Sequence, residues 1–172
     1  KLGLMSHQMG DKDSAVELFS RALVINPNHA EIHNSLGLVL QDLGKPDQAI
    51  ASYRNALELN PDYAIAHSNL GAALKELGKL EEAVVSYNKA LTIKPDYAGA
   101  HYNLGNALRR LGRPDEAVES YRSALDLNPD YAEAHTSLGF SLQALGELNA
   151  AIESHKKAIQ LKPNYALAHL NL

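Results

Sequence analysis

Histidine has the widest chemical reach of any residue in this 172-residue chain, and five of the eight, His33, His67, His101, His135 and His169, recur every 34 residues. A row of imidazoles suggests a metal site or a proton switch near neutral pH. The spacing argues against a shared ion. If each interval builds one layer of helices, equivalent side chains stand about a helix diameter, roughly 10 Å, apart, whereas zinc holds its nitrogens at about 2.0–2.1 Å. The expected role is an imidazole packed between helices with one ring nitrogen satisfied. His29 lies four residues before His33, but it takes the place held elsewhere by Tyr63, Tyr97, Tyr131 and Tyr165, so packing is expected there too.

The other reactive groups point away from catalysis. The chain has no cysteine, which removes disulfides, thiolate metal sites and cysteine nucleophiles and leaves the redox compartment open. It has no Gly-x-Ser-x-Gly, and Gly71 to Gly78-Lys79 misses a phosphate-binding loop because its glycines stand seven apart instead of five. The acidic residues are spread as solvated helix faces. No cofactor and no catalytic residue are expected.

A net charge of −4, from 16 Lys and Arg against 20 Asp and Glu, provides no general pull toward nucleic acid or an anionic membrane. Apolar runs such as 36–40 fall far short of the roughly 18 residues that span a bilayer. The start does not resemble a signal peptide. A cytoplasmic setting is favoured, although a targeting segment outside these residues would change that.

The elements that position these residues follow from the same period. Pro27, Pro61, Pro95, Pro129 and Pro163 stand 34 residues apart, and ten of the eleven glycines form two further 34-residue series, Gly99 alone being out of register. Numbering each unit so that this proline is position 32 gives a single array. It has a partial unit 1–29, four full units 30–63, 64–97, 98–131 and 132–165, and the start of another at 166–172. Both ends fall inside a unit, so the chain reads as a fragment of a longer protein.

Within a unit, two amphipathic patterns flank a turn glycine. In 64–97, Ala66, His67, Leu70, Gly71, Leu74 and Leu77 form the face of a first helix, A. Ala83, Tyr87, Ala90, Leu91 and Ile93 form the face of a second, B, which stops before Pro95. Pro46 and Pro114 suit the first turn of helix B. Asp62, Asp96 and Asp130, or Asn28 and Asn164, are expected to cap helix A, with capping boxes at Asn28/Glu31 and Asp130/Glu133. Gly at position 8 and Ala at positions 20 and 27 predict close approach of A and B. One hairpin cannot bury its face alone, so stacked copies share the core.

The unit 98–131, with His101, Leu104, Gly105, Leu108, Ala117, Tyr121, Ala124 and Pro129 at positions 4, 7, 8, 11, 20, 24, 27 and 32, resembles the tetratricopeptide repeat. The resemblance covers the whole chain. It departs in having His at position 4, Leu at position 11, and His155 at position 24 of the last full unit. It implies an all-α fold, a right-handed α-solenoid superhelix of antiparallel helix pairs, whose concave face is lined by helix A and binds proteins or peptides.

On that face the resemblance places positions 2, 5, 6, 9, 12 and 13. The candidate partner-binding residues are Asn34, Ser35, Leu38, Asn69, Tyr102, Asn103, Asn106, Arg109, Ser137 and Phe140. Asparagines there are similar to the ladder in O-linked N-acetylglucosamine transferases, whose amides hold a peptide backbone, although Ser35 and Ser137 interrupt it here. The carboxylate clamp of chaperone-binding repeats is missing, since no full unit has Lys at position 5. Tyr102 is the one tyrosine outside positions 24 and 34. With Phe140, Asn103 and Asn106 it is either a partner contact or a sporadic residue at a variable position. The expected function is a scaffold that binds a protein or peptide segment and has no activity of its own. Two alternatives stand beside it: the substrate-recruiting portion of a larger glycosyltransferase-type enzyme, and a homo-oligomer stacked through the apolar stub 166–172.

Overall fold

The computed structural model describes residues 11–164, and among them every regular element is an α-helix. The chain divides into two compact units, with the boundary between Ile93 and Lys94. The single array read from the sequence is therefore partitioned at the end of a helix B. Because repeats touch mainly their sequence neighbours, a connection between repeats is a natural place for such a division.

The first unit holds α1 (Lys12–Ile25), α2 (Ala30–Asp42), α3 (Pro46–Leu59), α4 (Ala64–Glu76) and α5 (Leu80–Ile93). α2–α3 and α4–α5 are hairpins, and α1 packs on α2. Ala15, Phe19 and Val39 form one core cluster, edged by Ile32, Leu36 and Leu43. Ala30, Ala56 and Ala66 form another, where α4 meets the hairpin before it. The second unit holds α6 (Ala98–Arg110), α7 (Pro114–Leu127), α8 (Ala132–Ala144) and α9 (Leu148–Leu161), with α6–α7 and α8–α9 as hairpins.

Each hairpin turns on one glycine. Gly44, Gly78, Gly112 and Gly146 have φ of 69°, 75°, 73° and 79°, a left-handed conformation that strains any residue with a Cβ. The next N–H reaches back five residues, as from Lys45 to the Leu40 carbonyl at 2.9 Å, closing a Schellman-type end to helix A. In two of the hairpins helix B then starts on a proline, Pro46 or Pro114, whose missing N–H costs nothing at that place.

The close approach of A and B has a more specific cause than small residues alone. The ring at position 24 packs directly against the glycine at position 8. A Cβ on Gly37 would sit 2.5 Å from the Tyr53 ring, on Gly71 2.8 Å from Tyr87, on Gly105 2.6 Å from Tyr121, and on Gly139 2.6 Å from His155. All four rings are completely buried, and so are Ala49, Ala56, Ala83, Ala90, Ala117, Ala124, Ala151 and Ala158. Burying a ring of this size stabilises the hairpin by about 1.5–3 kcal/mol.

Among the described helices A the expected caps are not formed, and the segment that Asn164 would cap lies outside the described residues. The N-cap residues are His29, Tyr63, Tyr97 and Tyr131, none of which caps through its side chain. Asp62 and Asp130 serve instead as third residues of β-turns, in which the Tyr63 N–H donates to the Asn60 carbonyl and the Tyr131 N–H to the Asn128 carbonyl, each at 3.2 Å. Neither capping box forms: Glu31 lies 2.9 Å from His29 Nδ1, and Glu133 pairs with Lys162. The position-4 histidines hold these turns. Nε2 of His33, His67, His101 and His135 bonds to the carbonyl of Pro27, Pro61, Pro95 and Pro129 at 2.8–2.9 Å. Proline supplies no N–H but keeps its acceptor, and an imidazole six residues on uses it.

Candidate functional site

In the second unit, four of the ten predicted site residues converge on one hydroxyl. The Tyr121 O–H donates to Asn106 Oδ1 at 2.9 Å. Burial pushes the Tyr121 phenol up to about 12, while hydrogen bonds from Arg109 and Ser137 pull it back toward its usual value. Tyr102 stands over the same group, its ring centroid 6.0 Å from that of Tyr121 and 4.8 Å from that of Tyr131. Tyr131 is also pushed up to about 12, chiefly by burial. Tyr121 belongs to the core by its ring, yet its hydroxyl emerges among the side chains of helix A.

The helices explain why these groups meet. Asn106 and Arg109 are positions 9 and 12 of α6, three residues apart and so on one face. Tyr121 comes up from α7 over Gly105, which leaves the room its ring needs. Ser137 is position 6 of α8. Arg109 is exposed, whereas Tyr102, Asn106 and Ser137 are half-buried. Tyr102 thus spends part of its surface inside the protein and offers the remainder outside. Asn103 is half-buried one residue further along α6, and Phe140 stands apart from the cluster, edge-on to His155 at 5.3 Å.

In the first unit the candidates divide differently. Asn34 is 4% exposed and accepts a hydrogen bond at 3.0 Å from Asn69 Nδ2 on the next helix A. Ser68 and Thr136, at the same position 5 as Asn34, are also buried, so this position is generally covered. Tyr102 is the occupant too large to be swallowed. Ser35 donates to the Glu31 carbonyl of its own helix at 2.8 Å, and Leu38 is 38% exposed.

The hydroxyl partners were the part least visible beforehand. Tyr53 O–H donates to Gln41 Oε1 at 3.0 Å, and Gln41 Nε2 in turn donates to Glu76 at 2.5 Å. Position 12 is polar in every full unit, as Gln41, Lys75, Arg109 and Gln143. A polar residue recurring opposite an aromatic core position is the signal that would have found them.

Among the described residues no group of three or more His, Asp or Glu is placed to hold a metal ion, and no helix is long and apolar enough to cross a membrane. The segments 1–10 and 165–172, including His169 and the stub 166–172 proposed for stacking, lie outside the described residues.

A family model described as TPR repeat matches residues 3–44, 42–78, 73–112, 105–146 and 141–172. Several solved structures are similar over nearly the whole chain. The crystal structure of MamA shares 28% identity, covering 96% of this chain and 97% of that one, with a TM-score of 0.88. PilF of Pseudomonas aeruginosa shares 27% identity, covering 99% and 78%, with a TM-score of 0.89. A thermophilic TPR protein of Thermus thermophilus shares 27% identity, covering 98% and 92%, with a TM-score of 0.74. No curated protein sequence matches significantly.

Proposed function

From the premise that this chain belongs to the tetratricopeptide-repeat family, we propose that it is a binding scaffold whose helix-A faces hold an extended segment of a partner protein, without chemistry of its own. One observation carries the reading: Asn69 and Asn106 are each fixed at one end of the amide, with the other end making no side-chain bond among the described residues. Asn69 uses Nδ2 on Asn34 and keeps its carbonyl oxygen, while Asn106 uses its oxygen on Tyr121 and keeps its NH₂. An amide locked in one orientation presents a defined acceptor or donor, and a peptide backbone needs both. Prior fixation also lowers the entropy lost on binding.

In the second unit, Tyr102, Asn103, Asn106 and Arg109 would contact the partner, with Ser137 and Phe140 beside them. Leu38, with Asn69, would serve the first unit. Aromatic and Arg side chains give large contact area at low entropic cost.

An immobilised peptide array probed with the wild-type protein and with Tyr102→Ala/Asn103→Ala tests the reading. The double variant is expected to lose at least about tenfold in affinity for the bound peptides, with its helical circular dichroism retained. Unchanged binding would remove the helix-A face of the second unit from this role.

A further inference from the structure

The helix-A faces leave one surface of the first unit unexplained. A cleft of about 570 Å³ opens on the helix-B side, between α3 and α5. Its walls include Leu57, Leu70, Val85 and Ile93, with Pro61 and Asp62 of the intervening turn at one end. That volume lies within the range of roughly 300–1,000 Å³ typical of ligand clefts.

The repeat shows which residue is unusual here. Val85 is position 22, where the other helices B carry Glu17, Ala51, Glu119 and Glu153. It is 55% exposed, and Ile93 is 36% exposed. An acid that keeps this face wet in three of the other helices B is thus replaced by an aliphatic residue at the edge of the cleft. In the second unit the residues equivalent to Val85 are Glu119 and Glu153.

The charges at the rim are unequal. Arg54 is committed to Glu82 at 3.8 Å. Glu58 and Asp62, at the end of α3 and in the following turn, form no ion pair among the described residues, while Lys89 on α5 contributes a single cation. The uncommitted charge is two carboxylates against one ammonium, beside an apolar floor.

We propose that this cleft is a second docking site, separate from the helix-A faces, for a peptide segment that presents an aliphatic side chain next to a lysine or arginine. The aliphatic group enters between Val85, Leu57 and Ile93, and the basic group lies against Glu58 and Asp62. Opposite charge placed at the rim of an apolar site selects among partners and speeds encounter.

The probes are blocked decapeptides on a Gly-Ser background, each carrying one leucine flanked by lysine, by glutamate or by serine. Methyl NMR of the whole chain reports the site directly. The lysine peptide should shift the Val85 and Ile93 methyl signals and bind about tenfold more tightly than the glutamate peptide. Val85→Ser, at an exposed position, should weaken the lysine peptide about tenfold with an unchanged melting curve. Glu58→Gln/Asp62→Asn should bring the lysine and serine peptides to the same affinity. Tyr102→Ala should change none of this, and so separates the site from the helix-A reading. The proposal is overturned if no peptide moves those methyls, if the glutamate peptide binds as well as the lysine peptide, if Val85→Ser binds like the wild type, or if Tyr102→Ala abolishes binding.

Discussion

The hairpins α6–α7 and α8–α9 present the same slot with different contents. In the first, Tyr121 fills the space over Gly105 and sends its hydroxyl out to Asn106. In the second, His155 fills the space over Gly139, completely buried, and neither ring nitrogen has a hydrogen-bond partner among the described residues. Burial holds the His155 pKa below its usual value. What the slot requires is a flat ring, because the glycine beneath it has no Cβ. Whether the ring's polar atoms are satisfied depends on the residue they meet: the Tyr121 hydroxyl has Asn106, while the Tyr87 hydroxyl in the same slot is buried without a partner. The Tyr121 oxygen, beyond its ring, comes within reach of Asn106, whereas both nitrogens of His155 stay buried without a partner. Phe140, standing where α6 has Asn106, adds no partner.

The sharpest way to break this comparison is to fill the space beneath both rings. Gly105→Ala and Gly139→Ala should each destabilise by about 1–3 kcal/mol, since the added methyl meets a buried ring that cannot move away. Urea unfolding measures the loss, and a stabilising alanine at either site would show that the glycine is not the seat of the ring.

The next largest effect tests the occupant. His155→Tyr should stabilise by about 1–2 kcal/mol, because it removes two unpartnered buried nitrogens and puts a hydroxyl within the range of Gln143, the counterpart of Gln41. The pH dependence follows the same exchange. The folded imidazole resists protonation, while in the unfolded chain it takes a proton near about pH 6.5. The wild type therefore loses stability as pH falls below that value, and His155→Tyr should flatten the decline. Melting curves from pH 7.5 to 5 report both effects.

The smallest expected difference lies between two tyrosines. The Tyr87 hydroxyl is buried without a hydrogen-bond partner, whereas that of Tyr121 has Asn106. Tyr121→Phe should cost about 1 kcal/mol and Tyr87→Phe nothing, or should gain slightly. Equal losses in the two thermal melts would mean that the hydroxyl's partner does not matter.

Much of this architecture was legible as spacing. Helices A begin at Ala30, Ala64, Ala98 and Ala132, the first positions of the 34-residue units, and helices B begin at Pro46 and Pro114 as the punctuation implied. The caps were misread because an aspartate after proline satisfies two local patterns. Both a helix cap and the third position of a β-turn favour it, and the choice depends on where the following tyrosine goes. The bond from His33, His67, His101 and His135 to a proline carbonyl was equally hidden, since it uses a backbone atom that has no letter of its own. Of the candidate site, Asn106, Arg109, Ser137 and Tyr102 do come together. Position 5 did not read correctly, because its exposure depends on the size of the side chain there: Asn34 and Thr136 are covered, and Tyr102 is only half so.

The short reach of several of these bonds along the chain has an evolutionary consequence. The histidine-to-proline bond spans 6 residues, Tyr53 to Gln41 spans 12 and Tyr121 to Asn106 spans 15, all shorter than the 34-residue period. Removing or duplicating one whole period would carry a complete set of these bonds with it. A gene encoding such a chain can lengthen or shorten by whole units through unequal recombination, each product inheriting intact hairpins, while an indel of another length falling between a position-8 glycine and its position-24 ring would part the two.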